Sequence, residues 1–584
     1  MRRIQGLLAV AVIGAIGAIA APSAHATSPL PSPFPTLASP WPSHAPVATD
    51  ATYFNNAALP AADPYVMRDP RSGEYYAYST EGADPGYDFA IYRSADLVTW
   101  EKVGPGALPV NDPNQWGTDW FWAPETYYNP HTGLYFMFYS ARSAPNAQAW
   151  FGYADYQEPC KIGVAVSRSP AGPFHNIASH PIDYNPYDPS YHDVNLIMGP
   201  SQMVPPPTLQ QGETAPLGTY IPQIDPDVVF DPSGRIYLYF SRNAYRNWVW
   251  DTDLHKYIEE SNILAVQLTS GWWNDPTGQT MPTVAPSFRG AEQDTTGGPA
   301  GPRRDGWVRV LDYDHDKQAW ENADVNDYST TGGQLKDRRW EEGPTVLPTR
   351  LDGRTRYYLT YSANNNAGPQ YAVGYAVADN PLGPFHKSPT NPILHSDPAI
   401  GEYSTGHGSI VASPDGRQLY YVHHGRPTPT EPQRRLYTDQ MHFSLSDRDP
   451  WGNPILSIDE ATSDRPIPSG VAPYRIRTST GAIVVHGSTT ASLTWQVLAA
   501  DGAPLALANP LNRVTVATAD PSVATVTAGA DGASATVTPH QPGHTVLTLT
   551  YQRLSSTGTY RDVHQERAGR WRTVAARIPV VVVP

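Results

Sequence analysis

The chain has 584 residues, more than one ordinary hydrophobic core holds, so two domains are expected beyond any targeting segment. Only 16% of residues are charged, whereas 35 Tyr, 16 Trp, 46 Gly and 61 Pro point to an all-β extracellular protein rich in turns, not a helical one. A net charge of −15 argues against nucleic acid and anionic membrane as partners and suits a neutral polymer.

The N-terminus reads Met1-Arg2-Arg3, an apolar stretch from Leu7 to Ala21, then Ala24-His25-Ala26. Those are the three parts of a secretory signal, with cleavage after Ala26, so 1–26 is expected to be removed. A retained anchor is the rival reading, but this Gly- and Ala-rich segment is weakly apolar for a spanning helix of about 20 residues. Residues 27–50 are rich in Pro, Ser and Ala and read as a linker. One cysteine, Cys160, excludes an internal disulfide framework and is expected to be buried and inert.

From 51 to 460 the chain is periodic. Asp63 lies in Ala62-Asp63-Pro64, ahead of Tyr75-Tyr76, and Asp225 lies in Ile224-Asp225-Pro226, ahead of Ile236-Tyr237-Leu238-Tyr239-Phe240. Glu342-Gly343-Pro344 is followed by Asp352-Gly353 and Tyr357-Tyr358-Leu359. Trp122-Ala123-Pro124-Glu125 and Gly406-His407-Gly408-Ser409 open two more such units, each a motif, a polar turn and an aromatic strand. Later strands repeat too, as in Pro170-Ala171-Gly172-Pro173-Phe174 and Pro381-Leu382-Gly383-Pro384-Phe385. Five units of several short strands predict a five-bladed β-propeller. In a propeller the innermost strands line the central channel, so their motifs meet near the axis. Three carboxylates in one cleft is the chemistry of glycosidic-bond cleavage.

Two segments, 177–221 and 268–338, interrupt the rhythm and are expected to border the cleft. After 460 aromatics thin out and Val/Thr/Ala alternation appears. A linker over 461–480 and a β-sandwich over 481–584 are expected. The stretch Asp520-Pro521-Ser522-Val523-Ala524-Thr525-Val526 and the later Gly543-His544-Thr545-Val546 resemble bacterial immunoglobulin-like domains of group 2, which implies a spacer or adhesion module without chemistry.

The ordered set Asp63-Pro64, Trp122-Ala123-Pro124-Glu125, Ile224-Asp225-Pro226, Glu342-Gly343-Pro344 and Gly406-His407-Gly408-Ser409 resembles glycoside hydrolase family 43 over roughly 53–460. The resemblance implies an inverting hydrolase acting on arabinofuranosides and xylosides of plant cell-wall polysaccharides. It places the general base at Asp63, a helper carboxylate at Asp225 and the general acid at Glu342. Inversion needs one carboxylate ionised and one protonated, about 6.5–9.5 Å apart to admit water. A third carboxylate raises the acid's pKa. No cofactor is required for this chemistry. A monomer is expected, with no nucleic acid and, after signal cleavage, no membrane as partner.

Other residues carry two readings each. Asp69 and Asp227 are close enough to be the cleft residues in place of Asp63 and Asp225. Glu341 and Glu342 face opposite ways on a strand, so only one enters the channel. Glu125, Trp122 and Arg435 are the substrate-binding candidates, against a structural carboxylate, aromatic core packing (shared with Phe121) and a surface arginine. His407 matches a position that the resemblance associates with a structural calcium on the propeller axis, and a hydrogen-bonded core histidine is the alternative. Asn111-Asp112-Pro113-Asn114 and Arg68-Asp69-Pro70 mimic motifs of retaining β-fructosidases, but in reversed order, and Glu158 lacks the expected context. A non-catalytic carbohydrate-binding propeller is the remaining alternative.

Overall fold

The computed structural model of the protein describes residues 59–95, 97, 100–143, 160–182, 205–214, 223–242, 248–286, 308–313, 316–398, 401–413, 416–458, 474–498, 504–508, 512–554, 560–566 and 571–584. The expected signal and linker at the N-terminus, and Glu158, lie outside them.

The five repeats are five antiparallel four-stranded blades. The first runs Tyr65–Arg68, Tyr75–Ser79, Ala90–Ser94, Trp100–Lys102, and the second Gly117–Asn129, Leu134–Ser143, Cys160–Ser167, His175–Asn176. The third runs Ile224–Phe230, Ile236–Arg242, Lys256–Leu268, Val308–Leu311, and the fourth Arg338–Leu351, Arg354–Ala363, Ala372–Ala378, His386–Lys387. The fifth runs Tyr403–Ala412, Leu419–Arg426, Arg435–Arg448, Pro454–Ile458. A short parallel pairing of Glu259–Ser261 with Arg338–Trp340 joins the third and fourth blades at one edge.

Local chemistry sets this architecture. Polar turns reverse the chain between inner and second strands, as at Asp69 to Gly73 and Asp231 to Gly234, where the glycine N–H donates to the aspartate carbonyl. Both glycines adopt the left-handed conformation, with φ of 79° and 83°, that only glycine enters without strain. Strands beyond each turn are buried on both faces, because each blade lies between two others; Tyr75, Tyr135, Tyr239, Tyr358 and Tyr421 are all buried. Phe174 and Phe385, which end the two Pro-x-Gly-Pro-Phe repeats, are fully buried beneath their outer strands. Cys160 is buried and in no disulfide.

The inner strands touch in a closed cycle, first to second to third to fourth to fifth and back to the first. Closure is reinforced from the N-terminal side, where the Ala61 N–H donates to the Arg434 carbonyl at 3.1 Å and Leu436 N–H to the Leu59 carbonyl at 3.0 Å.

Each inner strand turns a corner, at its head or within its first half, at a residue with positive φ: Asp63 (48°), Ala123 (48°), Asp225 (56°), Gly343 (58°) and His407 (43°). The backbone N–H of each donates to a side chain at or near the end of the second strand of the preceding blade. Ala123 donates to Thr80 Oγ1 (2.9 Å), Asp225 to Ser140 Oγ (3.0 Å), Gly343 to Ser241 Oγ (3.1 Å) and His407 to Ser362 Oγ (2.7 Å). Asp63 closes the circle by donating to His424 Nδ1 at 3.2 Å. The ring therefore buries its five sharp backbone corners with every N–H satisfied.

The C-terminal residues form two further sheets. Arg475–Thr478, Ala491–Leu498, Ser534–Pro539 and Ala524–Ala528 make one, and Ile483–His486, Ala575–Val583, Gly543–Leu554 and Asn512–Thr518 make the main part of the other. Both contribute to one core that includes Trp495, Val537, Leu547 and Val580, which is the sandwich arrangement. It starts earlier than the expected 481, because Tyr474 joins that core and Arg475–Thr478 pairs with Ala491–Leu498.

Candidate active site

The corners at the head of the inner strands deliver their side chains to a cavity of about 300 Å³ at the end of the ring axis. Asp63, Asp225 and Glu342 all line it, as do Trp122, His407 and Arg434. Asp63 and Asp225 are the left-handed residues of their blades, whereas Glu342 stands one position before Gly343. The acid side chain is thus offset by one residue from its two companions. Gly343 permits this: its φ is positive, and a Cβ there would lie 2.8 Å from the His407 ring.

Asp63 is surrounded by positive and donor groups. Arg434 Nη1 donates to its Oδ1 at 2.7 Å, His407 Nδ1 and His424 Nδ1 lie 3.2 and 3.3 Å from the same oxygen, and Thr80 Oγ1 donates to Oδ2 at 2.8 Å. Burial alone would raise its pKa, but the Arg434 guanidinium, then His407, outweigh it and hold Asp63 well below the usual carboxylate range. His424 itself is driven down to about 3, chiefly by burial, and is neutral.

Glu342 is held by two donors, Trp340 Nε1 to Oε2 at 2.8 Å and the Tyr371 hydroxyl to Oε1 at 2.7 Å. Burial first and the charge of Asp225 second raise its pKa to about 7. Asp225 is likewise raised to about 7, by burial and then by Asp63, while its Oδ2 accepts from Ser241 Oγ and Gly343 N–H at 3.0 Å each. One carboxylate ionised at low pH beside a pair retaining a proton to neutral pH is the division that acid–base catalysis needs.

The other candidates sort clearly. Trp122 lines the cavity, and Trp120 stacks on it at 5.3 Å and 10°. Arg142, bridged to Asp119, lies over the Trp120 ring at 4.3 Å from its centroid, which braces the Trp120–Trp122 stack. Phe121 packs against Phe89 and Tyr139 instead.

Glu125 departs from its expected substrate-binding role. It lies two residues inside its corner, buried beside Asp227, and accepts from the Tyr127 hydroxyl. Burial and the charge of Asp227 push it well above its ordinary value, and Asp227 is itself raised to about 7, chiefly by burial. Asp227 does not line the cavity and accepts from Val346 N–H at 2.9 Å. Asp69 caps its turn through Ser72 and Arg71 and accepts from Tyr135 at 2.8 Å. Glu341 points away from the cavity into a buried cluster in which Lys387 Nζ lies 2.6 Å from it and 2.9 Å from Glu321.

The basic residue at the cavity is Arg434, not Arg435. Arg435 pairs its backbone with Gly425 at the start of its strand, so its side chain leaves on the opposite face. The surroundings of His407 fit a calcium ion poorly. Calcium takes six to eight oxygen ligands, and the carboxylate oxygen beside His407 is already engaged by the Arg434 cation.

Sequence reading missed Trp340, Tyr371, His424 and Asn364, the last of which also lines the cavity. Alternation offered a signal for Trp340, two residues before Glu342 on the same strand; Tyr371 and Asn364 carried none. The expected role of the second interrupting segment is met by its described end. Asp324, Asp327, Leu335, Lys336 and Arg338 form one wall of the cavity, and Glu259 anchors that wall through Lys336 (3.1 Å) and Arg338 (2.8 Å).

The chain is similar to Xylosidase/arabinosidase 43B of Humicola insolens, 28% identical over 208 residues, covering 32% of this chain and 36% of that protein. It is similar to Arabinan endo-1,5-alpha-L-arabinosidase C of Emericella nidulans, 29% identical over 225 residues, covering 36% of this chain and 66% of that protein. The match thus spans less than two thirds of either relative's length. A solved structure described as a thermostable family-43 glycoside hydrolase is 26% identical, with a TM-score of 0.44, covering 70% of this chain and 96% of that one. The family model described as Glycosyl hydrolases family 43 matches residues 57–196 and 308–446, which hold Asp63, Glu342, His407 and Arg434. Over those residues the propeller of this chain is similar to the glycosyl hydrolases of family 43.

Proposed function

We propose that the protein is a secreted O-glycosyl hydrolase that cleaves α-L-arabinofuranosyl or β-D-xylosyl linkages of plant cell-wall polysaccharides or their oligosaccharides with inversion. The observation that carries this reading is the opposite tuning of two carboxyls in one cavity, Asp63 held ionised and Glu342 raised to about 7. Asp63 acts as base on a water. Glu342 protonates the departing oxygen. Asp225 keeps the shared proton on Glu342: its Oδ2 already accepts a backbone N–H and a hydroxyl, and Arg434 favours its charged form. Trp122 offers a flat face to the sugar, and the neutral His424 orients Asp63 through its backbone N–H.

The printed activities of the two relatives, on xylosides, arabinosides and arabinan, support the choice of pentose substrates. The test is hydrolysis of nitrophenyl α-L-arabinofuranoside, nitrophenyl β-D-xyloside, debranched arabinan and arabinoxylan, with the product anomer read by NMR on the first turnover. Inverted product supports the mechanism; retained product overturns it. Binding of polysaccharide with no hydrolysis would instead favour a non-catalytic propeller. The β-fructosidase alternative loses its structural basis at Asp112, which is buried against His175 at 2.9 Å and caps Asn114, away from the cavity. The sandwich is proposed as an immunoglobulin-like spacer without chemistry.

A further inference from the structure

Glu402, His423 and Asp439 meet inside the fifth blade, away from the cavity, with one donor atom of each within 4.8 Å of the others. All three are buried, at 2%, 0% and 1% exposure. His423 Nδ1 lies 3.0 Å from the His424 carbonyl oxygen, which only accepts, so in the neutral ring the proton is on Nδ1. Nε2 then presents a lone pair, and it faces Asp439 Oδ2 at 2.7 Å and Glu402 Oε1 at 3.8 Å. Three acceptor atoms therefore converge. Glu402 Oε1 is buried without a hydrogen-bond partner, an expensive state for a carboxylate oxygen. Tyr437, stacked on His423 at 5.8 Å, also buries a hydroxyl without a partner.

We propose that Glu402, His423 and Asp439 bind a divalent first-row transition-metal ion of the Zn2+ or Mn2+ type. One imidazole nitrogen and two carboxylate oxygens are the donor set such ions take, whereas calcium prefers six to eight oxygens. The His423 proton on Nδ1 is anchored by a backbone carbonyl, the arrangement that fixes the tautomer of a metal-binding histidine. The ion is structural: its ligands come from the head of the inner strand and from the second and third strands of one blade. Those strands carry His407 and His424, and Arg434 directly precedes the third.

The test uses the full-length chain, stripped with a chelator and desalted, then titrated with Zn2+ or Co2+. About one equivalent of zinc should survive a second desalting and raise Tm by several degrees. Co2+ should give a visible ligand-field band. Glu402→Gln, nearly isosteric and neutral, should fold without metal, weaken zinc binding by about tenfold or more and remove most of the Tm response. His423→Gln should do the same. Zinc uptake and Tm response equal in the wild type and Glu402→Gln would overturn the proposal. So would a wild type that retains no zinc, which would make the trio a hydrogen-bonded group holding an extra proton.

Discussion

Arg434 donates to Asp63 Oδ1 at 2.7 Å across the join between the last blade and the first. This contact favours the ionised form of Asp63, the proposed base, because burial opposes ionisation and the guanidinium reverses it. The base works only when ionised, so activity falls as pH drops through its pKa. Removing the cation raises that pKa. Arg434→Met should therefore move the acid limb of kcat/KM to higher pH, as read from a pH–rate profile; an unmoved limb would mean that Arg434 acts only on substrate.

Glu342→Gln leaves the shape of the site and removes the proton. Turnover of natural polysaccharide should fall by about 10²- to 10⁴-fold, the usual worth of a general acid. A dinitrophenyl glycoside, whose leaving group needs no proton, should be cleaved at close to the wild-type rate. Equal losses on both substrates would assign the acid elsewhere.

The alkaline limb should lie near pH 7, where Glu342 loses its proton. Two substitutions move it in opposite directions. Tyr371→Phe removes a hydrogen bond that favours the carboxylate, which raises the pKa and shifts the limb to higher pH. Asp225→Asn removes a neighbouring negative charge, which lowers the pKa and shifts the limb to lower pH. Asn tolerates the left-handed conformation that Asp225 adopts, so the fold is kept. Shifts of the same sign in both variants would contradict the assigned roles.

Asp63→Ala should abolish turnover while the protein stays folded, since Ala123 already occupies the equivalent corner with the same φ of 48°. Azide should partly restore cleavage of an activated substrate by replacing water as nucleophile, giving a glycosyl azide of inverted configuration detectable by NMR. A retained azide product would remove Asp63 from the role of base.

Lys387→Met tests the cluster behind the acid. Its ammonium is fully buried between Glu321 and Glu341, and removing one partner of a buried ion pair costs about 3–5 kcal/mol. Urea unfolding should report a loss of that size; a loss below about 1 kcal/mol would mean that the two ion pairs contribute little to the stability of the native protein.

Much of the fold was legible because each blade carries its own punctuation: a corner motif, a turn glycine and an aromatic strand. The three cavity acids were legible for the same reason. What escaped were choices between neighbours. Arg434 and Arg435 are adjacent and chemically identical, and strand alternation says that one faces the cavity but not which. Glu125 is a motif residue, yet it stands two positions beyond its corner, where it meets Tyr127 and Asp227 and does not line the cavity. Tyr371 reaches Glu342 from a segment 29 residues away in sequence, a distance fixed only by how the fourth blade closes.

The circle of corner N–H groups has one odd member. Four end on a hydroxyl of Ser or Thr, and the fifth, at Asp63, ends on the imidazole of His424. That place is also the seam of the ring, where Leu59 and Ala61 are stitched to Leu436 and Arg434. Asp63, the proposed base, therefore sits on the fastening, not on the continuous part of the band. Loosening the clasp would silence the enzyme while every blade was still intact, so inactivation on heating should run ahead of the loss of β-structure.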